Sequence, residues 1–334
     1  MDRNARNLLL DPLSVEEFRQ AAEIIGECID PTPQIRWPLL AQRLGVDVWV
    51  KHENHLPTGA FKVRGGLVFM RQLYEKGLGE TGVIAATRGN HGQSIAFAAD
   101  RIGVPATIVV PYGNNVDKNR AMKAYGANLI EAGYDFDEAL LTDRNLATEH
   151  NLFPVPSFDP VLVQGVGTYA FEMFLELPDL DVVFVSIGLG SGICGILSAR
   201  DALGLKTEVI GVVSTKADAY AQSIDKGYLV TTASAETIAD GMAVRAPSPE
   251  AFELLKDRVS RVVRVSDEEI LEAIKFYYED THNLAEGAGA APLAALYKEK
   301  EIYAGKRVGL ILSGGNVDEE TLMRAIGKRG IDKR

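Results

Sequence analysis

Lys62 stands in the run "PTGAFKVRGG", directly behind Phe61 and just ahead of Gly65 and Gly66. A lysine amine is a nucleophile only when neutral, and from an ordinary pKa of about 10.4 that requires removal from water. The small residues on either side could admit a flat ring against the side chain. The plainer alternative is a solvated charge at a helix start. Three Gly-marked turns after strand-like runs hold the rest of the candidate chemistry: "TRGNHGQ" after Val83–Ala86, "GLGSGICG" after Val182–Ile187 and "SGGNVD" after Val308–Leu312. In open α/β sheets ligands bind where strands end at their carboxyl edge, so these turns can converge on one ligand.

The middle turn is the most legible. Gly188, Gly190, Gly192 and Gly195 leave the backbone bare, and "ICGILSARDALG" then reads as a helix. Bare N–H groups at a helix N-terminus attract an anion, and a phosphate is the natural occupant. A tight turn that holds nothing is the alternative. A dinucleotide would want an acid about 20 residues on, and Glu208 keeps that rival open, whereas the GK[ST] of a nucleoside-triphosphate loop is missing. A cofactor that joins a phosphate to a need for lysine is pyridoxal phosphate, whose aldehyde reacts with a lysine amine.

The elements that would position these residues alternate along the chain. "VDVWVKHE", "GVIAATRG", "PATIVVPY", "ANLIEAG", "DVVFVSIG", "TEVIGVVS" and "RVGLILSGG" are short, rich in β-branched residues and bounded by Gly or Pro. Between them, "SVEEFRQAAEIIG" carries Ser14 and Glu17 at capping-box spacing. "NHGQSIAFAADRIG", "DKNRAMKAYG" and "SDEEILEAIKFYYED" keep helical periodicity. The alternation predicts an α/β fold with parallel sheets. "NLFPVPSFDP", with three prolines, marks a boundary near 150–160, with the strands before and after it able to build separate sheets.

Composition narrows the partners. The 334 residues carry a formal net charge of −11, which argues against nucleic acid or an anionic membrane surface. Only Cys28 and Cys194 are present, without ligand spacing, which fits a reducing cytoplasm. Neither a leader nor a run of membrane-spanning length is legible.

With "AEGAGAAPLAAL" added, the motifs "TGAFKVRGG", "TRGNHGQS", "GLGSGICG" and "LSGGNVD" stand in a telling order. The chain resembles the fold-type II pyridoxal-phosphate enzymes, most of all the threonine/serine dehydratase (ammonia-lyase) and serine racemase branch. The likeness runs from about Thr32 to Asp318, with "QGVGTYAFE" and "VPYGNNVDKNRAMKAYGA" as weaker echoes. It implies two open α/β domains of the tryptophan synthase β-like kind with the cofactor in the cleft between them. Residues 1–76 and 158–334 would form the large cofactor-binding domain and 77–157 the small one.

By the same resemblance, Lys62 matches the lysine that bonds the cofactor and moves the substrate α-proton. Phe61 lies beside the pyridine, Asn90 meets its 3-hydroxyl, Gly188, Leu189, Gly190, Ser191 and Gly192 cradle the phosphate, and Ser313 faces the ring nitrogen. Thr87, Arg88, Gly89 and His91 fall in the substrate-binding turn. Arg88 departs from the pattern, because the family usually has serine there and racemases use that serine as a second acid/base. An arginine is always charged and shuttles no proton. It could grip a carboxylate of the substrate, or point outward to a surface acid. Ala60 stands where serine is usual, and Trp37 either shapes the substrate pocket or simply packs. The positions of the family's divalent-metal acids are Val213 and Ala219, so no metal is expected. Asp240 is read as structural, and Glu286 as structural or electrostatic.

The resulting expectation is a lyase that releases a 2-oxo acid and ammonia from a β-hydroxy-α-amino acid, threonine or serine by default. A 3-hydroxyaspartate-like or otherwise anionic hydroxy-amino acid is the alternative that Arg88 opens. A racemase, a β-replacement synthase and a non-catalytic binding protein are the further alternatives. A homodimer is expected by resemblance, and a C-terminal regulatory domain is not.

Overall fold

Runs of β-branched residues become strands wherever both faces can be buried. The computed structural model describes residues 7–8 and 11–327; the start of the stretch read for a leader lies outside them. Among the described residues the strands are β1 (Gln34–Ile35), β2 (Asp47–His52), β3 (Val83–Ala86), β4 (Ala106–Val110), β5 (Asn128–Glu131), β6 (Phe153–Pro154), β7 (Val182–Ser186), β8 (Glu208–Ser214), β9 (Arg261–Val265) and β10 (Arg307–Leu312). They form a larger sheet in the order β1-β2-β10-β7-β8-β9 and a smaller one in the order β5-β4-β3-β6. Apart from the antiparallel β1–β2 pair, every named-strand pairing is parallel. The fold is α/β, with two open sheets.

All seven runs read as strands form strands, and β1, β6 and β9 are additional. The first two are only two residues long. β9 is an edge strand whose Arg261 and Arg264 interrupt the apolar pattern. The three-proline stretch does not separate two sheets, as the sequence suggested. Its Phe153–Pro154 pairs with β3, while β2, far upstream, pairs with β10. The chain therefore begins in the larger sheet, leaves it to build the smaller one, and returns.

Side-chain alternation buries both faces of the larger sheet. Val182, Phe184, Ile210, Val212, Val308 and Leu310 pack into one core, and Val183, Val185, Val209, Val213 and Ile311 into the other. Ser14 and Ser266 start their helices with complete capping boxes. On the helix Asn90–Arg101, Ile95, Ala96 and Ala99 are buried against the smaller sheet.

Gly65 and Gly66 serve close packing rather than a flat ligand. Gly65 lies under the backbone of the helix Pro160–Glu176, where an added Cβ would meet Leu162 O at 2.8 Å. A Cβ on Gly66 would collide with Ser94 Oγ of the helix Asn90–Arg101. The helix Lys62–Glu75 is thus clamped between helices that lead to both sheets.

A buried ion cluster fixes the start of the same helix. Arg64 has no exposed surface; its Nε donates to Glu53 Oε2 at 2.7 Å, and its Nη1 donates to Glu172 Oε1 at 2.6 Å and to Thr168 Oγ1 at 3.0 Å. Lys51 Nζ donates to Glu172 Oε2 at 2.7 Å, and Thr32 Oγ1 donates to Glu53 Oε1 at 2.6 Å. Burial alone would lower the Arg64 pKa, but Glu53 and Glu172 hold it above its usual value. Removing one partner of such a cluster strands the others without water. Arg64→Met is expected to destabilise the protein by about 3–5 kcal/mol, measured by denaturant unfolding of wild type and variant.

Candidate active site

β3, β7 and β10 end at Ala86, Ser186 and Leu312, and the three Gly-marked turns leave from those ends. They open on one cavity of about 620 Å³. Phe61, Lys62, Thr87, Arg88, Gly89, Asn90, His91, Gly188, Leu189, Gly190, Ser191, Gly192 and Ser313 all line it. These thirteen candidate residues of the sequence are therefore brought to a single space.

Lys62 is the first residue of its helix. The segment ahead of it is tied to the turn after β10, since Phe61 N donates to Ser313 O at 3.0 Å and Ala60 bridges Gly314. Ser94 Oγ donates to the Lys62 carbonyl at 2.7 Å. The Lys62 ammonium donates to Ser191 Oγ at 2.8 Å and lies 5.3 Å from the Phe61 ring centroid. Shielding from water lowers its pKa to about 8. A neutral amine is thereby accessible near physiological pH, the condition for a nucleophilic or proton-transferring lysine.

The Gly turn opposite is built to face an anion. Gly190, with φ of +114°, precedes the helix Ser191–Ala202, and Cys194 N is the first helical N–H to reach a carbonyl, that of Gly190, at 3.0 Å. The Ser191, Gly192 and Ile193 N–H groups have no acceptor among the described residues. A side chain at Gly188 would collide with Gly241 O. The loop's carbonyls are held elsewhere: Tyr220 OH donates to Leu189 O at 2.7 Å, and Tyr169 OH donates to Gly192 O at 3.1 Å. Burial raises the pKa of both phenols, so both remain donors. Ser248 N donates in turn to the Tyr220 oxygen at 3.1 Å. No pattern in the sequence marks these two tyrosines, since each lies on a different helix from the loop.

In the turn after β3, Thr87 Oγ1 accepts from Gly89 N at 3.0 Å and from Gly92 N at 3.2 Å. The helix Asn90–Arg101 begins there, and the Asn90 and His91 N–H groups have no acceptor among the described residues. The Asn90 amide is gripped from both sides: its Nδ2 donates to Glu286 Oε1 at 2.6 Å, and its Oδ1 accepts from Asn316 Nδ2 at 2.9 Å. One lone pair and one N–H remain for a ligand. The Nε2 of the His91 ring is buried without a partner. Burial first, and the Lys62 charge second, push it down to about 3, so the ring stays neutral. Arg88 is exposed in the cavity wall and makes no hydrogen bond or ion pair with a described residue. The outward pairing with a surface acid is not formed.

Other residues fall differently from their sequence readings. Asp240 lines the cavity with Lys118, whose Nζ is 3.4 Å from Asp240 Oδ2 and 4.0 Å from Glu286 Oε2. Burial raises the Glu286 pKa against the opposing pull of Lys118 and Asn90. Lys118 carries no distinguishing signal in the sequence, where it looks like one of several solvated helix lysines. Trp37 lies outside the cavity, packs on the core and donates from Nε1 to His52 Nε2 at 2.9 Å. Glu208 begins β8, at the edge of the sheet opposite the Gly turn and about 20 Å away at 3.3 Å per residue. It cannot serve a ribose there, which removes the dinucleotide reading. Val213 and Ala219 are buried, and no His/Cys/Asp/Glu group suited to a metal occurs among the described residues.

Residues 25–314 match the family described as pyridoxal-phosphate dependent enzyme. The chain belongs to that family. It is 39% identical over 315 residues to an L-threonine ammonia-lyase of Geobacter sulfurreducens, covering 94% of this chain and 78% of that protein. It is 34% identical over 299 residues to an L-threo-3-hydroxyaspartate ammonia-lyase of Saccharomyces cerevisiae, covering 89% and 91% of the two chains. The solved structure of maize serine racemase superposes with a TM-score of 0.87 at 28% identity, covering 95% of this chain and 98% of that one.

The residues present fit pyridoxal phosphate. The cavity supplies a partly desolvated lysine, a side-chain-free turn with unpaired N–H groups, and an amide with spare hydrogen-bonding capacity. Tyr220→Phe would leave Leu189 O and Ser248 N without their partner and free the turn to rotate, at a cost of about 1–2 kcal/mol. About tenfold weaker binding of pyridoxal phosphate is expected, read by absorbance titration of the cofactor-free protein, with its thermal midpoint measured alongside.

Proposed function

We infer that this protein is an ammonia-lyase that converts a β-hydroxy-α-amino acid, L-threonine or L-serine by default, to a 2-oxo acid and ammonia by β-elimination. The observation that carries the reading is Lys62, an amine lowered to about 8 in the same cavity as the Gly188–Gly192 turn and Asn90. The likeness to threonine ammonia-lyases supports it.

Pyridoxal phosphate, when bound, supplies an electron sink that stabilises negative charge at the substrate α-carbon. The chain's own groups do the rest. The Ser191, Gly192 and Ile193 N–H groups would hold its phosphate, Asn90 would hold the ring hydroxyl, Phe61 would pack beside the ring and Ser313 would meet its nitrogen. Thr87, Gly89 and the Asn90 and His91 N–H groups form the bed for the substrate α-carboxylate, where the helix dipole favours an anion. Lys62, once neutral, removes the α-proton; the β-hydroxyl takes up that proton and leaves as water, and the released enamine hydrolyses to the 2-oxo acid and ammonia. Arg88 supplies no second proton-transferring group, which disfavours racemisation.

We further assign residues 1–76 and 158–334 to a large domain and 77–157 to a small one; the pairing of β3–β6 only among themselves supports this division. A homodimer in the cytoplasm is the expected setting. Among the described residues no helix is long and apolar enough to cross a membrane.

Lys62→Ala is expected to lose the absorption of a lysine-linked cofactor, and to lower 2-oxo acid release from threonine by about 10²–10⁴-fold from lost proton transfer alone. Undiminished release would overturn the reading. Because the neutral amine predominates only above its pKa, the rate of cofactor loading should rise with pH and level off above about 8. Stopped-flow absorbance of the cofactor-free protein checks this.

A further inference from the structure

The cavity has more capacity for anions than a cofactor and a monocarboxylic amino acid can fill. The Gly188–Gly192 turn presents three unpaired N–H groups, enough for one phosphate. The N-terminus of the helix Asn90–Arg101 presents two more, enough for one α-carboxylate. Each cationic side chain of the wall can then be assigned. Lys62 is shielded and titrates to about 8, as its chemistry requires. Lys118 is held by Asp240 and Glu286. Arg245 is engaged with other groups of the chain. Arg88 alone of these has no partner among the described residues, although it sits in the same turn as the α-carboxylate bed. Its guanidinium presents a planar fork of donors that fits a carboxylate. Thr87 and Gly89 on either side are buried and fix its backbone in the wall.

We propose that Arg88 receives the side-chain carboxylate of the substrate, so that the preferred substrates are dicarboxylic β-hydroxy-α-amino acids of the 3-hydroxyaspartate class. The reaction assigned to them rests on the lyase reading above; the choice of a second carboxylate rests on the unpaired guanidinium. The two can fail separately, and the experiment separates them.

The holoenzyme and its Arg88→Ser and Arg88→Lys variants are titrated with L-aspartate and L-2-aminobutyrate, which lack a β-hydroxyl leaving group, with binding read from the cofactor absorbance. Wild type should bind L-aspartate at least about tenfold more tightly than L-2-aminobutyrate. Arg88→Ser should bring that ratio close to one, and Arg88→Lys should keep part of it, since an ammonium retains the charge but not the fork. Because the readout is a ratio, general damage to the site cancels. A wild-type ratio near one, or equal weakening of both ligands by Arg88→Ser, overturns the proposal; equal weakening would place Arg88 on the α-carboxylate instead. Release of 2-oxo acid by the wild type from the 3-hydroxyaspartate isomers and threonine is measured in parallel. Turnover of an isomer with higher kcat/KM than threonine supports the proposal, and better turnover of threonine counts against it. A preserved binding ratio without turnover of any hydroxy-amino acid would overturn the lyase reading while leaving Arg88 as the carboxylate reader.

Discussion

A guanidinium cannot discharge itself when it is taken out of water, and the site is organised around one that has been. Arg64, two residues beyond Lys62, is fully buried and neutralised by Glu53 and Glu172. Glu53 lies just past β2, and Glu172 lies on the helix that leads towards β7. Any displacement of the Lys62 helix would separate charges in a medium that screens them poorly. The cluster therefore specifies the position of this helix more sharply than apolar packing alone. The close approach at Gly65 and Gly66 adds a steric limit on the same helix. Together they hold Lys62 at the junction of both sheets.

Around that fixed lysine the polar groups are preorganised. Leu189 O and Gly192 O, which would repel an anion, are occupied by the Tyr220 and Tyr169 hydroxyls, so the turn presents its N–H groups. The Asn90 amide is held from both sides by Glu286 and Asn316, which sets its orientation before any ligand arrives. His91 stays neutral beside Lys62 and adds no charge to compete with the amine. A ligand that enters this cavity meets dipoles already aligned, so little of its binding free energy goes into arranging them.

The cavity wall also has a position whose side chain is independent of the frame that holds it. The turn after β3 keeps its capping threonine and its helix N-terminus, so its backbone chemistry does not depend on the identity of residue 88. The side chain there is free to vary, and in this chain it is an arginine. Loop positions of this kind, held by a rigid frame but without packing of their own, are where new specificity can be added at little cost in stability.

The sequence by itself determined the α/β class, all seven of the strand runs read from it, and every residue that lines the cavity from the three Gly-marked turns. These signals are local: β-branched runs, capping spacings and bare glycine turns are set by neighbours along the chain. It also carried the family, because five motifs in order encode one site. What the chain's order concealed was partnership at long range. Only the tertiary structure decided that β2 pairs with β10 across some 260 residues, that Tyr169 and Tyr220 lock the Gly turn, and that Lys118 is neutralised by Asp240 and Glu286. It also decided that Gly65 and Gly66 admit neighbouring helices rather than a ligand, and that Glu208 lies at the wrong end of its strand. In each case the deciding quantity is a distance between residues remote in sequence, and single residues such as Tyr220 leave no periodic trace to read. Arg88 belongs to both accounts. Its type stood out in the sequence, but whether it was already paired with an acid could be answered only by the fold.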